Sequence, residues 1–329
     1  MANAITRRRA IGIFAAAAGL PLLYSGFAKA EAPVIVWTGQ ALGAPAKLIL
    51  HHNDTAKAQR IIDRIVVEVA RLEGIFSLYR DPSTLVELNR VGGIAMPPAE
   101  MVLLLDQCSR FWQTTGGLFD PTVQPIWKLY RDHFASETFD ERGPDAARLD
   151  AALGRVGFDS VVYGADRIAF AKRGMSMTLN GVAQGFVTDR ITEMLRAEGF
   201  NNCLVNMGEE RAIGAQADGT PWRIGLASTE DSLEPDAVLP VVNRAVATSS
   251  PVGFVFDKAS KFGHILNPKT GLSPQSNRRV TVIANDAATA DALSTAFNLM
   301  NVDAIRSTLK YWPGASIDLI DKAGTRIRI

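Results

Sequence analysis

Two apolar runs, Val34–Thr38 and Ala46–His51, flank a Gly43-Ala44-Pro45 turn and predict a pair of strands. Asp54 then stands where a helix cap belongs. After it Ile62, Ile65, Val69, Leu72 and Phe76 recur at spacings of three and four, one buried stripe of a long helix. A second helix is predicted from Pro97-Pro98 through Leu103, Leu104, Phe111 and Trp112 to Gly116-Gly117, and a third from Asp120-Pro121 toward Tyr130. Beyond these the pattern changes. Short strand-like runs (Ser160–Tyr163, Arg167–Ala171, Cys203–Asn206, Trp222–Leu226, Val238–Val242 and Arg279–Ala284) alternate with turns, and Ser316–Ile320 with Thr325–Ile329 reads as a closing hairpin. Two helices interrupt them, at about 184–198, with Val187, Ile191 and Leu195 four apart, and about 287–300. Helices early and strands late, without strict βαβ alternation, predict an α+β fold with a largely antiparallel sheet.

Composition changes little in that picture. With 329 residues, 47% hydrophobic and 21% charged, the chain can build a sizeable core, and no Pro/Ser/Gly-rich linker divides it. The N-terminus alters the charge reading. Formal charge is +1, but residues 1–30 hold Arg7, Arg8, Arg9 and Lys29 and no acid, so the remainder carries −3. No basic stripe points to nucleic acid. The arginine run, the weakly apolar Ile11–Leu23 stretch and Ala28-Lys29-Ala30 have the layout of a twin-arginine signal peptide over residues 1–30, which predicts a periplasmic mature chain over 31–329. The apolar stretch is shorter than the roughly 20 residues a spanning helix needs. Cys108 and Cys203 form no CxxC pattern, and four histidines without paired cysteines disfavour a zinc cluster.

Candidate chemistry then lies in five segments. In Ala290-Asp291-Ala292-Leu293-Ser294-Thr295-Ala296, Asp291 and Thr295 share a helical face and offer hard oxygen ligands suited to magnesium. The same spacing is common on solvated faces, although the small and apolar neighbours here argue for burial. Thr178-Leu179-Asn180-Gly181-Val182-Ala183-Gln184-Gly185 precedes a helix, where glycines and free N–H groups admit a phosphate, or make a tight turn. His264, before Ile265-Leu266-Asn267-Pro268-Lys269-Thr270-Gly271, is a general-base candidate or a structural histidine. Tyr79, in Phe76-Ser77-Leu78-Tyr79-Arg80, is a stacking aromatic or a core residue; Asp120, in Gly117-Leu118-Phe119-Asp120-Pro121-Thr122, is a loop carboxylate or a cap.

Taken in order, the five segments resemble the ApbE family of FAD:protein FMN transferases, over nearly the whole chain from Val34 onward. The resemblance implies a single ApbE-like, T-fold-related domain over 31–329. It implies magnesium held by Asp291, Thr295 and the Gly181 carbonyl, and FAD as substrate contacted by Tyr79, Leu118, Phe119, Asp120, Thr178, Gln184 and Ile265, with His264 as base. The implied reaction moves FMN from FAD to a Thr or Ser of an acceptor flavoprotein and releases AMP. The arginine signal and the Leu-Asn-Gly-Val-Ala-Gln-Gly turn are most similar to NosX-type members, which implies a membrane flavoprotein of a nitrous oxide reduction (denitrification) system as acceptor, the only link to the membrane. Thr178 and Gln184 replace the family's Asp and Lys, and Asn206-Met207-Gly208-Glu209-Glu210 replaces its Asn-x-Gly-Gly-Asp. These departures keep two alternatives open, an FAD pyrophosphatase and an FAD-binding or assembly protein without transferase activity.

Overall fold

The protein is described from a computed structural model covering residues 33–226, 235–274 and 276–329; the expected signal segment lies outside the described residues. Strands β1 (Val34–Ala41) and β2 (Ala44–His51) pair antiparallel. Their loop is Leu42-Gly43, both at positive φ (49° and 82°). A two-residue loop with this backbone matches the twist of the flanking strands. The turn therefore falls one residue earlier than the sequence pattern predicted, and Ala44 and Pro45 belong to β2. Next comes α1 (Thr55–Phe76), where Asp54 accepts from Lys57 N and all five residues of the expected stripe are buried.

The order continues with α2 (Thr84–Val91), β3 (Gly93–Ala95), α3 (Ala99–Thr114), α4 (Gln124–Phe134), α5 (Ala146–Leu153), β4 (Val161–Tyr163), β5 (Arg167–Phe170), α6 (Ala183–Ala197), β6 (Cys203–Asn206), β7 (Glu210–Ile213), β8 (Trp222–Leu226), β9 (Ala237–Val241), β10 (Ala245–Ser249), β11 (Asn277–Ala284), α7 (Ala287–Phe297), α8 (Val302–Leu309), β12 (Ser316–Asp321) and β13 (Arg326–Arg328). On α3, Leu104, Leu105, Cys108 and Phe111 are buried, whereas Leu103, expected in the stripe, faces solvent.

Eight strands form one antiparallel sheet in the order β1-β2-β6-β7-β10-β11-β12-β13. The two early strands thus supply one edge of the sheet that the later strands complete. The architecture is the expected single-domain α+β fold. Alternation along the strands sends Val205, Ile213, Ala245, Ala247, Val280 and Val282 into the main core with α1, α3, α6 and α7. The opposite face carries Ile49, Leu204, Ala212 and Val246, covered by the β8–β9 ribbon through Trp222, Ile224 and Val241. A third cluster joins Ile126 and Tyr130 of α4 to Ala152 and Leu266, with Phe256 and Phe262 packed on it. It holds the loop that bears His264. Cys108 and Cys203 are both buried free thiols. Among the described residues no helix is long and apolar enough to cross a membrane.

Candidate active site

The turn before α6 is built from backbone bonds. Thr178 N donates to Pro121 O (2.8 Å), Asn180 N to Thr178 Oγ1 (3.2 Å), and Val182 N and Ala183 N to Leu179 O (3.0 and 2.8 Å). The cap position of α6 is Val182, whose side chain can accept nothing, so the first amides of the helix need acceptors from elsewhere. One comes from α7, whose Asp291 Oδ2 accepts from Gly185 N (3.2 Å). The two helices touch here because residue 185 has no side chain; a Cβ would collide with the Ala287 carbonyl.

The favour is returned at the start of α7. Asp189, on α6, accepts from Ala287 N (2.7 Å) and Ala288 N (2.9 Å), while Asp286 caps Thr289 N (2.8 Å). Burial pushes the Asp189 carboxyl up to about 6, against Arg211, which lies 2.5 Å away, and the two amides, which favour the charged form.

Of the eleven residues of α7, ten are buried. Asp291 is only 3% exposed. A carboxylate so enclosed requires hydrogen-bonding or cationic partners. Thr295 lies one turn on and backs onto the glycine turn: a Cβ on Gly181 would stand 3.1 Å from Thr295 Oγ1. Beside it Ser249 Oγ lies 2.7 Å from Ser294 Oγ and 3.5 Å from Thr295 Oγ1. Every candidate donor here is oxygen: one carboxylate, hydroxyls and a peptide carbonyl. Among the described residues no three His, Cys, Asp or Glu side chains converge as a metal cluster. A sparse donor set with one carboxylate suits a hard cation that keeps several waters and shares substrate phosphates, and does not suit zinc.

These groups line an open cleft. Gly181, Asp291, Thr295, Thr178, Gln184, Leu118, Phe119, Asp120, His264 and Ile265 all line it. Asp120 has much of its capacity taken up: Oδ1 accepts from Thr122 N and Oγ1 (2.8 and 2.6 Å), Oδ2 from Phe158 N (3.0 Å), and Trp112 donates as well. Burial raises its carboxyl above the ordinary range despite those bonds. Thr122 Oγ1 in turn accepts from Gly157 N (2.8 Å), so Asp120 ties the 118–122 loop to residues 157–158. In the same cleft His264 N and Nδ1 both lie against Phe254 O (3.0 and 3.1 Å). A carbonyl only accepts, so Nδ1 carries a proton, and in the neutral form of the ring the lone pair is on Nε2.

The model of the ApbE family matches residues 42–316. The chain belongs to the ApbE family. It is 27% identical over 306 residues to the FAD:protein FMN transferase of Haemophilus influenzae, covering 89% of this chain and 87% of that one. Among solved structures, it is similar to the ApbE protein of Thermotoga maritima (TM-score 0.78, 26% identity, 90% of this chain and 97% of that one). It also shares its fold with the flavin transferase ApbE of Vibrio cholerae (TM-score 0.74, 21% identity, 90% and 97%).

Within this ApbE-family cleft one expected residue stands apart. Tyr79 is 51% exposed and lines a smaller adjoining pocket with Leu42, Phe76 and Gln184; its hydroxyl accepts from Asn180 Nδ2 (3.3 Å), and Asn180 lines both spaces. Sequence reading missed Thr248, Ser249, Ser250 and Glu209, which also line the cleft, and Asp189 and Ser294 behind it. The hydroxyl run Thr248-Ser249-Ser250 before Pro251 was the available signal for the first group.

Proposed function

We propose that the protein transfers the FMN half of FAD to a Thr or Ser hydroxyl of an acceptor flavoprotein, with magnesium and with release of AMP. What supports this most is the convergence of separate chain segments on one cleft, where the Asp291–Thr295 face of α7 backs onto the Gly181 turn. Relatives such as that of Haemophilus influenzae bear the name FAD:protein FMN transferase.

In this reading Asp291, Thr295 and the Gly181 carbonyl hold magnesium. The cation supplies charge neutralisation on the pyrophosphate as negative charge shifts to the departing AMP. Leu118, Phe119, Thr178, Gln184 and Ile265 hold FAD along the cleft; Asp120 keeps the 118–122 loop in place, and Tyr79 packs near the flavin. His264 Nε2 takes the proton of the acceptor hydroxyl, whose oxygen attacks the FMN phosphorus. The bond from that phosphorus to the AMP phosphate oxygen breaks, and FMN stays joined to the acceptor as a phosphoester. An acceptor that is itself a protein requires the open mouth.

The finer reading is export by the twin-arginine route to the periplasm, NosX-type membership, and a membrane flavoprotein of a nitrous oxide reduction system as acceptor. It rests on residues 1–30 and on the Thr178/Gln184 turn. Gln184 packs against Gly208, where a Cβ would lie 2.6 Å from the amide, and with Thr178 it leaves the turn neutral where the family carries Asp and Lys. The test is mass spectrometry of a purified acceptor domain after incubation with FAD and magnesium, with AMP measured in parallel. FMN mass added to one Thr or Ser is the expected result. Rapid AMP release without acceptor identifies a pyrophosphatase, and FAD binding with neither product identifies a binding or assembly protein.

A further inference from the structure

We infer that Asp189, which does not line the cleft, is the positioning residue that sets the spacing between the two halves of the cation site. The inference rests on the metal reading given above. One half, Gly181, sits just ahead of α6; the other, Asp291 and Thr295, is on α7. Nothing in the covalent chain holds these halves together, since they are more than a hundred residues apart.

A reciprocal clasp does. Each helix begins with amides that its own turns cannot satisfy. Gly185 N of α6 donates to Asp291 on α7, and Ala287 N and Ala288 N of α7 donate to Asp189 on α6. Two carboxylates therefore cap each other's helices in opposite directions. The bare Gly185 lets the axes close on the Ala287 carbonyl, so a small change at the clasp is passed to Thr295 with little slack. Arg211 closes the back of Asp189 at 2.5 Å. Ionised Asp189 also places negative charge at the positive end of the α7 dipole, which favours the arrangement further. Asp291 is thus committed on one side to Gly185 N, and the second clasp adds a hold on α7 at its N-terminus, where it meets α6.

Indirect support of a metal ligand is worth roughly 10- to 100-fold in metal affinity. The experiment titrates the full mature protein with Mn²⁺, followed by electron paramagnetic resonance of the free ion, and measures the Mg²⁺ dependence of flavin transfer alongside. Asp189→Asn keeps the shape but offers one acceptor in place of two. It should raise the Mn²⁺ Kd and the half-saturating Mg²⁺ by about tenfold, while kcat at saturating Mg²⁺ and the KM for FAD stay within about twofold. Ala287→Pro breaks the clasp without touching the acid. It removes the donating N–H at the first helical position, where proline is favoured, and Asp286 already has the extended backbone (φ −137°, ψ 157°) that precedes proline. It should raise the Mn²⁺ Kd in the same direction. Unchanged Mn²⁺ affinity in both variants, with or without a lower melting temperature, would overturn the inference while leaving the metal reading intact. A parent protein indifferent to Mn²⁺ and Mg²⁺ would overturn both.

Discussion

Helices α1 and α7 solve opposite problems. α1 runs 22 residues with eight of them buried, an amphipathic rod laid over the sheet. α7 runs 11 residues with ten buried, and its Asp291 and Ser294 side chains bond to Gly185 N and to Ser249. Hydrophobic area fixes α1, whose apolar side chains each contribute about 1.5–3 kcal/mol on burial. α7 is alanine-rich and buries little area per residue. Its place is fixed by directional contacts: Asp189 and Asp286 at its start, Asp291 to Gly185, and Ser294 to Ser249. Area tolerates small displacements, whereas hydrogen-bond geometry does not. The cation site proposed above would sit on the second kind of helix.

Substitutions can pull the two apart. Asp291→Asn retains an oxygen for Gly185 N but removes the charge, and should lower transfer about 10³-fold, corresponding to several kcal/mol of lost charge stabilisation. Its melting temperature should stay near that of the parent; calorimetry beside the acceptor-labelling assay checks both. Ile65→Ala on α1 should do the reverse. A fully buried isoleucine truncated to alanine costs about 2–5 kcal/mol in denaturant titration, with transfer per folded molecule unchanged. Gly185→Ala falls between them. The added methyl meets the Ala287 carbonyl, so overpacking should cost about 1–3 kcal/mol and, unlike Ile65→Ala, should also weaken Mg²⁺ dependence.

The last effect, absent at low pH, lies on the other face of the sheet, where Glu210 is held by little. Its Oε1 accepts from Asn206 Nδ2 (2.7 Å), Oε2 has no hydrogen-bond partner among the described residues, and burial pushes the carboxyl up to about 8. The folded value lies above the unfolded one, so folding takes up a proton between about pH 4.5 and 8. Stability from this group is fully present below that window and is lost as pH rises through it. Glu210→Gln should therefore match the parent at pH 4.5 and gain on it by about 1–3 kcal/mol at pH 8, read from paired urea titrations.

Periodicity made α1 legible before any coordinates, down to Asp54 as its cap. The strands with dense apolar runs, such as β6 and β8, were equally plain. Missed elements share a cause. β7 reads Glu-Arg-Ala-Ile, and its charged residues are buried against Asn206 across the β6–β7 hairpin and Asp189 on α6. β10 reads Ala-Val-Ala-Thr-Ser, weak in strand propensity, and exists because β7 and β11 flank it. α2, α5 and α8 have eight residues each, too few for a periodic signal to stand out, and are set by the caps Ser83, Asp145 and Asn301. The site followed the same division. Its named motifs lie in contiguous segments and could be recognised there. Ser249 and Asp189 act through partners 45 and about 98 residues away, a pairing that only the fold creates.

Sealed sulfur gives the chain a practical freedom. Cys108 and Cys203 have no solvent exposure, and burial pushes the Cys203 thiol up to about 12 and that of Cys108 higher still, so neither offers thiolate to a reagent in neutral buffer. The native fold should consequently be silent to maleimide dyes. A cysteine introduced at an outward position near the cleft mouth, such as Val252, would be the single reactive handle, letting fluorescence follow an approaching partner without first stripping the protein of its own thiols.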